Sequence, residues 1–306
     1  MRILHEGIRQ WMDTYKKNSV KPTTFDRLET SYNALLKDPI ANMIVEELKT
    51  TDIQNYINRM IAAEYALSTI RKQYHLIGAY LKYACIEGVI TRPIHNGVKL
   101  PTQSAVKKKK KEVYGYDKDE QERLMSVLRS LERTGYGAAI LMMESGLRVG
   151  ECLALKWDDI LWQRRAININ KTLIRITNKN RMIVQEGAKS FTSNRIIPMS
   201  SLAYKLLEQL SHKAQTQDGY IFADANGKPI SYEAMRYQIK LACAAAEVPY
   251  KGQHAFRHTF ATNCYNRGAD VKVLSKLLGH SDVSITFNVY IHLYGDGLEE
   301  MRGVVG

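Results

Sequence analysis

His254-Ala255-Phe256-Arg257-His258-Thr259-Phe260-Ala261-Thr262 is a helix-like run that carries two anion-binding groups. His254 and Arg257, three residues apart, fall on one helix face and could grip a single anion together. A solvated helix face shows the same spacing, so the pair alone settles no function. Downstream, Leu277-Leu278-Gly279-His280-Ser281 closes a helical pattern on a glycine, with His280 just beyond as a functional group or a capping residue. Asn288-Val289-Tyr290-Ile291-His292 follows. Upstream, Ser145-Gly146-Leu147-Arg148-Val149-Gly150-Glu151 places Arg148 at a glycine turn entering a helix, and Gly187-Ala188-Lys189-Ser190 places a lysine between two strand-like runs. Taken singly, Arg148 reads as a surface arginine, Lys189 as a loop lysine, and Tyr290 as one half-buried ring among 18 tyrosines.

Together these groups suit one reaction, phosphoryl transfer with a tyrosine nucleophile. A phosphodiester passing through a pentavalent state spreads negative charge over its non-bridging oxygens, and guanidinium forks bind such oxygens with paired hydrogen bonds. Arg148 and Arg257 could supply what other nucleases take from metals. Free tyrosine titrates near pH ~10, so a phenol nucleophile needs a cationic, hydrogen-bonding site. A positioned lysine is a fitting general acid for the departing 5′-oxygen.

The rest of the chain agrees. Its 306 residues leave room for two domains, and a hydrophobic fraction of 45% is enough to bury real cores. Lys and Arg total 44 against 31 acids, a net charge of +13, which points to a polyanionic partner, nucleic acid before an anionic membrane surface. No stretch approaches the ~20 apolar residues of a membrane span, and the N-terminus lacks an apolar signal core. The four cysteines, Cys85, Cys152, Cys243 and Cys264, are far apart, with no CxxC or Cys/His ligand spacing. The expectation is buried thiols in a reducing compartment, with no disulfide and no metal.

Residues 1–106 read as a helical module. Thr51-Asp52-Ile53-Gln54 has a capping-box pattern ahead of Ile53, Tyr56, Ile57 and Met60. Ser68 is a candidate cap for a helix carrying Ile70, Tyr74, Ile77, Leu81 and Ala84, which Gly88 ends. Residues 107–115 read as a linker, because Lys107, Lys108, Lys109, Lys110 and Lys111 repel one another. They could equally track a phosphate backbone. From 116 to 306 helices resume over 120–131, 136–145 and 148–155, interrupted between Arg165 and Met199 by β-prone runs that suggest a small antiparallel sheet, and again from Ser201.

The four segments resemble those of the tyrosine recombinase (phage integrase) family, of the type found in phages and conjugative transposons. Gly-Leu-Arg-Val-Gly-Glu resembles its first arginine box, and His-x-x-Arg-His-Thr-Phe-Ala-Thr its second. Leu-Leu-Gly-His-Ser with Val-Tyr-Ile-His resembles its third histidine and nucleophile segment. The match covers about 115–295, and the helical module is similar, less specifically, to the family's core-binding domain. The resemblance implies a mainly α fold with a small antiparallel β-sheet: a SAM-like core-binding domain and a mixed α/β catalytic domain. It implies that Arg148, His254 and Arg257 bind the scissile phosphate, Lys189 protonates the leaving 5′-hydroxyl, His280 hydrogen-bonds the phosphate region, and Glu151 supports the site. Tyr290 would attack to give a 3′-phosphotyrosyl link, with neither ATP, cofactor nor metal. Tyr294, one turn further on, is the alternative nucleophile, and Lys171 and Lys179 are alternative acids. Also implied are double-stranded core sites, a homotetramer on paired sites, accessory DNA-bending or excision proteins, a bacterial cytoplasmic setting, and an arm-binding domain that this chain either lacks or has lost by trimming. The rival readings are a type IB topoisomerase-like enzyme and a catalytically silent DNA-binding regulator.

Overall fold

Apolar residues at helical spacing set the first elements. In α1 (Leu4–Trp11), Leu4, Ile8 and Trp11 share one buried face. α2 (Pro22–Leu35) starts on a proline, whose fixed φ and missing N–H suit a first turn. α3 (Thr50–Ala62) buries Ile53, Tyr56, Ile57 and Met60, and α4 (Leu67–Ile86) buries Ile70, Ile77, Leu81 and Ala84, as their periodicity predicts. Gly88, at φ +71°, lies just beyond the end of α4. These faces join in one apolar core.

The helix starts differ from the sequence expectation. Asp52, not Gln54, closes the start of α3 by accepting the Lys49 backbone N–H at 2.8 Å. Gln54 exchanges hydrogen bonds with the Lys99 backbone at 2.8 and 3.2 Å. Ser68 lies inside α4, whose N-cap position is Ala66. In both places the N-cap position lies two residues before the one that the local capping signal marks.

The computed structural model describes residues 1–106, 115–176, 178, 181–187, 194–214, 216, 218–280, 282–284 and 286. The basic run Lys107–Lys111, Lys179, Lys189, Tyr290 and Tyr294 lie outside the described residues. The chain divides into two compact units, Met1–Glu112 with Arg175–Arg181, and Val113–Ile174 with Met182–Gly306.

The second unit is organised around one helix that is apolar on all sides. α5 (Lys118–Leu128) opens on a reciprocal capping box, Asp117 accepting from the Glu120 N–H and Glu120 from the Asp117 N–H, each at 2.9 Å. α6 (Thr134–Ser145) then buries Ala138 to Met143 without a break, as a helix enclosed by others must. Around it pack α5, the short α7 (Val149–Leu153), α8 (Ser201–Ser211), α9 (Tyr232–Ala245) and α10 (His254–Asn266); α11 (Val271–Leu278) packs on α10.

The β-prone region forms two small sheets. β1 (Ile160–Leu161), β2 (Ala166–Ile169) and β5 (Arg195–Pro198) make an antiparallel sheet with β2 in the middle. Both edges of β2 are thereby taken, and β3 (Lys171–Ile176) and β4 (Arg181–Glu186) pair with each other instead. Ile197, fully buried, faces Ile167 across the sheet, while Ile196 is exposed. Strand alternation therefore turns Arg195 inward with Ile197. All four cysteines are free thiols. Among the described residues no helix is long and apolar enough to cross a membrane.

Candidate active site

α6 ends on Gly146, left-handed at φ +66°, where an added Cβ would lie 2.4 Å from the Phe260 ring. The chain turns at once into α7, with Arg148 as its N-cap residue. Glu151, one turn in, accepts the Arg148 backbone N–H at 2.9 Å and its Nη1 at 2.7 Å. The side chain of Glu151 is 6% exposed and that of Arg148 36%, so Arg148 is anchored on a buried carboxylate yet remains open to solvent.

A second arginine closes the far side of the same carboxylate. Arg195 donates Nη2 to Glu151 Oε2 at 2.8 Å and Nη1 to Oε1 at 3.1 Å, with only 7% of its side chain exposed. Burial by itself would raise the Glu151 carboxyl, but the hydrogen bonds and charge of Arg195, with the charge of Arg148, hold it at about 2.

α10 brings His254 in at its first turn and Arg257 on the same face, as their spacing predicts. Arg257 is buried and spans two helix ends, Nη1 to the Gly146 carbonyl at 2.8 Å and Nη2 to the Leu278 carbonyl at 2.7 Å. α11 stops at Gly279, left-handed at φ +67°, so the glycine signal of the sequence holds.

Three consecutive carbonyls at that stop each accept from a different arginine: Leu277 from Arg195 Nε at 2.7 Å, Leu278 from Arg257, and Gly279 from Arg148 Nη2 at 2.6 Å. A helix C-terminus leaves its last carbonyls without intrahelical donors and carries partial negative charge, so it attracts cations. The turn thus draws guanidiniums from three distant parts of the chain to one place.

His280 follows directly. Its backbone N–H donates to the Ser275 carbonyl at 3.0 Å, and its Nδ1 hydrogen-bonds the buried Thr286 hydroxyl at 2.7 Å. Burial, then the charges of Arg257, Arg148 and Arg195, push the imidazole down to about 4. His254 is lowered by burial and by Arg257 and Arg148, and His258 by burial and by His254 and Arg257. Burial first, and then the neighbouring charges, favour the neutral form of these histidines. Among the described residues, no group of three or more His, Cys, Asp or Glu side chains could hold a metal ion.

The structure therefore brings together Arg148, Glu151, His254, Arg257 and His280. Arg195, His258 and Thr286 join them without having been singled out. Arg195 was legible only as the start of a strand. Which of Ile196 and Ile197 faces the core decides where its side chain points, and a local pattern cannot tell the two apart.

Residues 116–296 match the phage integrase family, and residues 4–61 match the SAM-like N-terminal domain of phage integrases. The chain belongs to the phage integrase family. It is a tyrosine recombinase, a site-specific recombination enzyme, and neither the topoisomerase nor the silent-regulator reading is favoured. A XerC-like tyrosine recombinase of Caldanaerobacter subterraneus subsp. tengcongensis is 26% identical over 95% of this chain and 79% of its own. The integrase of transposon Tn1549, solved with a circular-intermediate DNA, has the same fold, with a TM-score of 0.82 at 20% identity over the whole of both chains. A lambda integrase, solved as a tetramer on a Holliday junction, has a TM-score of 0.67 at 17% identity over 94% of this chain and 77% of its own.

Proposed function

We propose that this recombinase cuts and rejoins duplex core sites through a 3′-phosphotyrosyl bond to Tyr290, with the arginine cluster at the α11 turn holding the scissile phosphate. The convergence of Arg148 and Arg257 on that turn, beside three neutral histidines, carries the reading. Two fixed guanidiniums offset charge developing on the non-bridging oxygens, and His254 and His280 add neutral donors. The Tyr290 phenol releases its proton to solvent as its Oη attacks phosphorus, the P–O5′ bond breaks, and the Lys189 ammonium gives a proton of its own to the departing 5′-oxygen. Lys171 is a poorer candidate for that acid, because its ammonium lies 2.7 Å from both oxygens of Asp159. A 5′-hydroxyl of the partner strand then displaces the tyrosine. The covalent link conserves the phosphodiester's energy, so ATP is not needed, and guanidiniums take the charge that a metal would otherwise take.

On the same reading residues 1–106 and 116–306 are the core-binding and catalytic domains, and Lys107–Lys111 in the linker 107–115 contact backbone phosphates. The DNA-bound tetramer of lambda integrase supports a homotetramer on paired sites; the reading adds accessory bending or excision proteins that set direction, for a mobile element in the bacterial cytoplasm.

The test is incubation in EDTA with nicked duplexes from DNA flanking the protein's own gene, scoring SDS-resistant adducts. An adduct formed by the parent and absent in Tyr290→Phe is expected. An adduct that survives in Tyr290→Phe and is lost in Tyr294→Phe would move the nucleophile. No adduct with the parent, despite tight DNA binding, would overturn the reading.

A further inference from the structure

The cluster contains one arginine with a geometry unlike the other two. Arg148 has a side chain 36% exposed, and Arg257 reaches from α10 to the ends of α6 and α11. Arg195 is turned into the core by its strand, uses both Nη atoms on Glu151, and gives Nε to the Leu277 carbonyl. It joins three separate pieces of the site: the β5 backbone, the carboxylate that fixes Arg148, and the turn that presents His280.

We infer that Arg195 is a positioning residue for the strand-cleavage reaction, setting the aim of the Arg148 guanidinium through the Glu151 carboxylate and holding the α11 turn at the same time. The inference rests on the reading of Arg148 as a phosphate-binding group. Without Arg195, Glu151 would be held from one side only, by the Arg148 backbone N–H and Nη1. With both oxygens engaged by the Arg195 fork its plane is fixed, and the Arg148 Nη1 bond follows that plane. Lysine at 195 would keep the charge and lose the fork, since one ammonium does not reproduce two parallel N–H donors and a third from Nε. Gly279 belongs to the same device: a Cβ there would lie 3.0 Å from Arg195 Nη1 and 3.2 Å from its Cδ and Cζ.

A residue that only stabilises the fold and one that aims a guanidinium respond differently to the charge of the substrate. Replacing one non-bridging oxygen at the scissile position by methyl removes the negative charge that Arg148 offsets, so mis-aiming that arginine then matters much less. The test is single-turnover adduct formation on two otherwise identical duplexes, phosphodiester and methylphosphonate, with the parent, Arg195→Lys, Gly279→Ala and Arg148→Ala. Each rate is referred to the parent on the same duplex, and the ratio between duplexes cancels the folded fraction of a preparation.

Arg195→Lys is expected to lose about 10²-fold on the phosphodiester, the scale of an ångström-level misplacement, and no more than about threefold on the methylphosphonate. Gly279→Ala should show the same selectivity with a smaller loss, and decides the matter if Arg195→Lys does not fold. Arg148→Ala should show the selectivity most strongly. If Arg148→Ala is selective while the folded variants at 195 and 279 lose equally on both duplexes, Arg195 is only structural and the inference is overturned. If Arg148→Ala itself loses equally on both, the phosphate role of Arg148 falls, and the inference falls with it.

Discussion

Glu151 and Asp159 begin as the same local device and end differently. Each is the third residue of a short helical turn and accepts the backbone N–H of the residue before that turn, from Arg148 and from Lys156, both at 2.9 Å. Both carboxylates are buried, and each is paired with a cation distant in sequence, Arg195 for Glu151 and Lys171 for Asp159. Around Asp159 the arrangement is closed: Lys171 takes both oxygens at 2.7 Å and Asn170 donates at 3.1 Å. Around Glu151 a second guanidinium, Arg148, gives Nη1 to the carboxylate and Nη2 to the Gly279 carbonyl while its side chain stays 36% exposed. A buried carboxylate at a helix start therefore does not mark an active site. The mark is a second cation that the carboxylate aims without enclosing.

The largest effect that would sharpen this contrast lies on the closed side. Lys171→Met leaves Asp159 buried with no cation, only the Asn170 amide and the Lys156 N–H, and should lower unfolding free energy by about 3–5 kcal/mol. Denaturant unfolding measures it, and adduct formation per folded molecule should stay near parental. A selective loss of chemistry would erase the distinction between the two carboxylates.

Next in size is the acid response of Glu151. Its folded value near 2 lies below the ordinary 4.5, so its contribution is complete above about pH 4.5 and is lost as pH falls through about 2. The stability difference between parent and Glu151→Gln should accordingly shrink by about 3 kcal/mol between about pH 5 and about pH 2, in urea titrations across that range. A constant difference would mean that the two arginines do not hold the carboxylate ionised.

A smaller change is expected when the closed pair is removed as a unit. Asp159→Asn with Lys171→Met should recover most of the single-variant loss, ending within about 1 kcal/mol of the parent. A double variant as unstable as Lys171→Met alone would show that the pair is not what holds this corner.

A response as large as that of Glu151, in a higher pH range, concerns His280. Because burial and three arginines lower its folded value to about 4, the unfolded chain takes up a proton first as pH drops. Stability should fall between about pH 6.5 and about pH 4, and a thermal midpoint series should show a shallower fall in His280→Asn. Equal slopes would place His280 outside the field of the cluster.

Local signals made part of this readable in the sequence. Gly279 stops α11, Gly146 turns the chain into Arg148, and His254 and Arg257 share a face, all within a few residues of chain. The paired contacts were not readable. Arg195 meets Glu151 across 44 residues, and the inward turn of its side chain depends on a sheet register that a run of two isoleucines leaves open. Lys171 stood as a rival acid because it lies in the same β-prone stretch of sequence as Lys189, and only the fold shows it bound to Asp159. The caps at Thr51 and Ser68 went wrong because Gln54 is taken by Lys99 and Ser68 lies inside its helix. The split of the strands into two sheets follows from β2 using both of its edges, again a matter of tertiary pairing.

The central claim is that the arginines gathered at the α11 turn hold the scissile phosphate. It is tested most directly by Arg148→Ala, comparing duplex affinity with single-turnover adduct formation. Affinity should change little, since many other contacts hold the duplex, while adduct formation should drop by about 10²–10³-fold per folded molecule. A rate that is unchanged, or that falls only in proportion to affinity, would contradict the claim.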